Sequence, residues 1–133
     1  MTWLYVVSKG QLWRPDGSLL VSGCYAGNIP GMNQPNAEHI RGHGPLPAGM
    51  YLMDKFDDHK GPYTVTLDPD RWNRMFGRSA FLMHGDNREL DHTASDGCIV
   101  APHSARQEIC ESAIGQWLRV EHNLPEVLCQ QIT

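Results

Sequence analysis

Two side chains able to form a nucleophile–base pair stand close together in Phe81-Leu-Met-His-Gly-Asp-Asn-Arg-Glu-Leu-Asp-His-Thr-Ala-Ser-Asp-Gly-Cys-Ile-Val100. His84 closes one apolar run and Cys98 opens the next, 14 positions on. A cysteine nucleophile needs a base or a cation beside it to react as thiolate. A histidine ending one strand and a cysteine starting an adjacent strand would supply that pair. Gly97 allows a tight turn before Cys98, and the backbone amides of Gly97 and Cys98 are candidates to hold a developing oxyanion. From spacing alone, the two also read as an ordinary structural His and Cys. A zinc reading of His84, His92, Cys98 and His103 is weaker, because zinc sites use tighter paired spacings. No metal and no cofactor is therefore expected.

Positioning such a pair requires strands. Trp3 to Val7 is rich in β-branched and aromatic residues, and Gln11 to Arg14 and Leu19 to Tyr25 flank the turn signal Pro15-Asp-Gly-Ser18. Met50 to Met53, Tyr63 to Leu67, Ala80 to Met83 and Trp117 to Glu121 also read as strands. A short helix is expected over Pro69 to Phe76, with Asp68 as its N-cap. A second is expected over Pro102 to Ile114, where Ala105, Ile109, Ala113 and Ile114 fall near one face. Ala26 to Gly49 is rich in Gly and Pro without periodicity, which in so small a domain marks function or mobility.

The chain has 133 residues, 41% of them hydrophobic and 20% charged, which suits one ordered domain rather than two or a disordered chain. The expected division is a single catalytic domain over 1–123 and a tail over 124–133. A net charge of −4 argues against a nucleic-acid partner. The longest apolar run, Trp3 to Val7, is far short of the roughly 20 residues of a membrane span. No secretory signal is visible at the start of the chain. Of the cysteines, Cys24, Cys98, Cys110 and Cys129, no two form a Cys-x-x-Cys pair. Cys110 and Cys129 either pair or remain free. His39, His43, His59 and His122 read as solvated or locally bonded residues, Asp57-Asp58 and Asp68-x-Asp70 as turn and cap residues, and the four tryptophans as core or edge residues.

His84-Gly85 and Ser95-Asp-Gly-Cys-Ile99 resemble the catalytic motif of L,D-transpeptidases. More of the chain is similar to the type VI secretion L,D-transpeptidase effectors: Tyr25-Ala-Gly27, Gly44-Pro-Leu-Pro-Ala-Gly-Met-Tyr51, Leu67-Asp-Pro69 and Phe81-Leu-Met-His-Gly85 follow in consistent order over residues 3 to 110. The resemblance implies a mainly β, L,D-transpeptidase-like β-sandwich with one or two short helices. It implies a Cys98 thioester and a His84 base acting on the tetrapeptide stems of peptidoglycan. Ser95 or the Gly85 carbonyl would orient the imidazole, with Asp96 also in a supporting place. It further implies export through a type VI apparatus from a producing cell's cytoplasm into a Gram-negative neighbour's periplasm, an immunity protein and a monomeric enzyme. Two positions depart from the mainstream motif: Asp96 stands where a His is usual, and Val100 where an Arg is frequent. The substrate-carboxylate contact would then fall to Arg106 or Arg88. The rivals are another cell-wall cysteine peptidase or amidase, and a non-catalytic wall-binding module with Cys98 merely buried.

Overall fold

The computed structural model describes residues 2–90 and 92–126; Cys129 lies outside the described residues. The chain runs β1 (Trp3–Val6), β2 (Gln11–Trp13), β3 (Leu19–Val21), β4 (Tyr25–Ala26), β5 (Gly49–Asp57), β6 (Thr64–Pro69), β7 (Phe81–His84), β8 (Ile99–Val100), α1 (His103–Ser112) and β9 (Trp117–Glu121). The fold is mainly β, as expected. Its layers come from one curled sheet of order β3-β2-β1-β9-β5-β6-β7-β8-β4 rather than from two separate sheets. Pairing is antiparallel except for β1 with β9 and β7 with β8.

Alternation places the core. Tyr51 and Met53 of β5, Val65 and Leu67 of β6, Phe81 and Met83 of β7, and Leu118 and Val120 of β9 are all buried, while their in-between neighbours are more exposed. α1 adds Ile109 and Cys110 to the same cluster, and its Ala105 is also buried. Each fully buried large apolar side chain of this kind contributes about 1.5–3 kcal/mol. Leu4, Val6 and Trp13 form a smaller cluster, against which Leu124 packs.

One expected element is corrected. Residues 69–76 do not form a helix: Asp68 and Pro69 stay in β6, paired with Leu52 and Tyr51. The segment beyond is captured by β5, where the Asn73 side chain accepts from Met50 N–H (3.0 Å) and donates to Met50 C=O (2.8 Å). Phe76, Gly77 and Ala80 then take left-handed backbone angles, which a right-handed helix cannot contain. The irregular 26–49 stretch holds a single 3₁₀ turn at Pro35–Ala37.

Candidate functional site

The site is built where β7 meets β8. In this parallel pair, Met83 lies opposite Ile99 and His84 opposite Val100. Cys98 therefore enters the ladder beside Leu82, and its Sγ accepts a hydrogen bond from the Leu82 amide at 3.3 Å. His84 follows two residues on, at the end of β7. Its Nδ1 is 2.8 Å from the Gly85 carbonyl oxygen. A carbonyl only accepts, so Nδ1 carries the proton and the lone pair of the neutral ring sits on Nε2. The Gly85 carbonyl is thus the group that orients the imidazole. Among the described residues, no hydrogen bond joins Sγ to the ring.

Ser95 does different work from that expected. Its buried Oγ accepts from Gly27 N–H (2.9 Å) and Gly97 N–H (3.0 Å) and donates to the Cys98 carbonyl (2.6 Å). It holds the cysteine loop onto the end of β4, and among the described residues no hydrogen bond joins it to His84. The same bond corrects the oxyanion expectation. The Gly97 amide is committed to Ser95, which leaves the amide of Cys98 as the remaining candidate of the two.

Gly97 itself is required. Its φ is +143°, and a Cβ there would lie 2.5 Å from Arg78 Nη2 and 2.9 Å from Phe81 Cε1. Other anchors converge on this loop. Tyr25 donates to Asp86 (2.7 Å) and accepts from Ala94 N–H (3.1 Å), pinning both ends of the β7–β8 connection. Leu46 N–H donates to the Gly97 carbonyl (3.0 Å), so the Gly44-Pro45-Leu46-Pro47 turn braces the nucleophile. Asn28 Nδ2 bridges the carbonyls of Gly42 (2.7 Å) and Ser95 (2.8 Å).

Arg78, which nothing in the sequence singled out, ties these pieces together. Its guanidinium donates to the carbonyls of Glu38 (2.7 Å), Pro45 (2.8 Å), Gly44 (2.9 Å) and Asp96 (3.0 Å), and it stacks over Phe81. Arg106 is corrected as a substrate contact: it is buried, with Nε on the Ala101 carbonyl and Nη1 on that of Pro62. Arg88 lies on the exposed β7–β8 loop and does not line the cavity at Cys98. Arg41 and Arg78 do. That cavity, of about 400 Å³, is also lined by Asp96, Phe81 and Gly77. A second cleft of about 410 Å³, lined by Lys55, Thr64, Thr66 and Leu82, shares Ala80 and Phe81 with it.

Burial sets the resting protonation states. It pushes the Cys98 thiol above its ordinary value, with Asp96 adding to the rise and the Leu82 amide and Lys60 opposing it. Burial likewise holds His84 below its ordinary value; the Gly85 bond opposes this, and the charges of Lys60 and Arg106 reinforce it. Both effects favour a neutral thiol beside a neutral imidazole. Lys60 was also absent from the sequence reading, although its charge reaches both groups. His92 and His103 pack against the rings of Tyr25 and Tyr63. Among the described residues, no three His, Cys, Asp or Glu side chains converge as a metal site. His43 bonds Asn28, His122 pairs with Glu38, and His39 rests near Phe76. Cys24 and Cys110 are free, buried thiols, raised by burial to about 12 and about 11.

In comparison with known proteins, the model of one family, the Tlde1 domain, matches residues 21–122. No curated protein and no solved structure matches the chain.

Proposed function

The chain belongs to the Tlde1-domain family of type VI secretion effectors, and on that footing we propose that it is a wall-directed cysteine acyl-transfer enzyme. Its reaction is that of an L,D-carboxypeptidase/L,D-transpeptidase on the tetrapeptide stems of peptidoglycan. The observation that carries this reading is the His84 ring: Nδ1 is tied to Gly85, leaving Nε2 as a base on the strand beside Cys98.

In the reaction, His84 Nε2 takes the thiol proton as Sγ attacks the carbonyl carbon of the third residue, meso-diaminopimelate. The carbonyl π electrons move to oxygen, and the Cys98 amide donates to that oxyanion. Collapse breaks the C–N bond to D-alanine, and the imidazolium returns its proton to the leaving amine. The product is a Cys98 thioester. Water, deprotonated by His84, hydrolyses it to the tripeptide; a D-amino acid or a second stem amine gives exchange or a 3-3 crosslink.

The neutral pair makes His84 a general base that acts once substrate is bound, not the holder of a preformed thiolate. A base and thiol that are apart in the free enzyme commonly close up in the substrate complex. Action in the periplasm of a target cell and inhibition by an immunity protein are part of the same proposal, and membership of the effector family supports them. Among the described residues, no helix is long and apolar enough to cross a membrane.

The test is product analysis on defined muropeptides. Wild-type protein should release D-alanine from tetrapeptides, and Cys98→Ala and His84→Ala should not, with the fold retained. A different bond cut would indicate another peptidase or amidase. Undiminished turnover by Cys98→Ala would exclude the thiol mechanism.

A further inference from the structure

The cavity beside Cys98 has a direction. It is lined by Gly77 to Phe81, which precede Leu82, whereas His84 follows Leu82. Because Cys98 sits beside Leu82, the cavity and the imidazole lie on opposite sides of the sulfur along β7. The leaving amine must meet the imidazole to be protonated. The cavity therefore falls to the part of the substrate that stays on the enzyme, the acyl residue.

Its charges are of both signs. Arg41 is exposed, and among the described residues its one hydrogen bond is from Nη2 to the Gly77 carbonyl (3.0 Å), which occupies one of its five donors. Arg78 adds a buried positive charge whose partners are all carbonyl oxygens. Among the described residues, Asp96 presents the one carboxylate of the lining, steadied at one oxygen by Asn28 Nδ2 (3.3 Å). A cation and an anion facing one cavity suit a ligand group that is itself zwitterionic.

We propose that this cavity is the acyl-side specificity pocket for the amino-acid head at the far end of a diamino-diacid side chain, with Arg41 taking its carboxylate and Asp96 its ammonium. This rests on the L,D-acyl-transfer reading and adds to it the residues that select the third stem position. A lysine in that position carries the ammonium alone. It would use Asp96 and gain nothing from Arg41.

The test is equilibrium binding in a Cys98→Ala background, with tetrapeptides carrying meso-diaminopimelate, its side-chain amide, or lysine at position three. The parent should bind the free diacid tightest. Arg41→Gln should weaken the diacid peptide about 10- to 100-fold, the fold-change of losing a charge-assisted hydrogen bond, and leave the amide and lysine peptides unchanged. Arg41→Lys should recover part of the loss. Asp96→Asn should weaken all three peptides. Equal weakening of all three by Arg41→Gln would reduce Arg41 to a tie between loops and overturn the proposal, as would no weakening or no binding of any peptide. If the binding pattern holds while wild-type protein releases no D-alanine, the pocket stands and the proposed reaction falls.

Discussion

Replacing Arg78 with methionine keeps much of the side chain's bulk and removes every donor. Four carbonyls lose their partner, and the bonds to Gly44 and Pro45 are buried. Leaving a buried polar group unpaired costs about 1–3 kcal/mol, with under-satisfied carbonyls at the lower end. The guanidinium also lies 5.1 Å from the Phe81 ring centroid, a contact worth about 0.5–1 kcal/mol. Together these give a loss of about 3–5 kcal/mol, against a total stability of about 5–15 kcal/mol for a domain. At this chain length, each kcal/mol moves Tm by about 4 °C, so the expected drop is about 12–20 °C. Thermal and urea unfolding of both proteins measure it, the urea slope showing that the same surface unfolds. Arg78→Lys should recover less than half, because one ammonium cannot span four carbonyls drawn from three segments. A Tm within 3 °C of wild type, at unchanged slope, would refute the view that Arg78 clamps the loops around Cys98.

Three further outcomes follow from the same geometry. Ser95→Ala removes the acceptor of two amides and the donor to the Cys98 carbonyl; it should cost about 2–4 kcal/mol in urea unfolding and lower kcat for D-alanine release. Lys60→Met removes a charge that lowers both His84 and Cys98, so both limbs of the pH profile of kcat/KM should move to higher pH. His84 is held below its ordinary value, so the native state resists its protonation. That contribution is complete above the unfolded value of about 6.5 and is lost as pH falls through the folded value; His84→Gln should flatten the decline in urea midpoint between about pH 7 and 4.5.

The strands were legible as short β-branched, aromatic and apolar runs between turn signals, as in Met50 to Met53, Tyr63 to Leu67 and Trp117 to Glu121. The helix over 103–112 was legible because Ala105 and Ile109 recur at helical spacing. Pro69 to Phe76 misled because a local cap signal competes poorly with a strand that captures Asn73 by its side chain. The strand order was not legible: nothing local tells β1 to lie between β2 and β9. The placing of His84 and Cys98 on adjacent strands could be read because glycines and apolar runs frame them. Arg78 could not, since Gly77-Arg-Ser79 looks like a solvated turn, and the four carbonyls that bury the guanidinium come from distant segments. The swap of Arg106 for Arg41 has a similar origin. The Arg missing from the family motif at Val100 left Arg106 or Arg88 as candidates, but α1 turns the Arg106 side chain onto the Ala101 and Pro62 carbonyls, while the 26–49 stretch brings Arg41 to the cavity.

The central claim is a covalent acyl-enzyme on Cys98. Wild-type protein mixed with a meso-diaminopimelate tetrapeptide and quenched in acid should show, by intact mass and peptide mapping, a tripeptide thioester on the peptide containing Cys98. Hydroxylamine should release that adduct, and Cys98→Ala should lack it. D-alanine release at full rate with no adduct on Cys98, or an adduct elsewhere on the chain, would contradict the account.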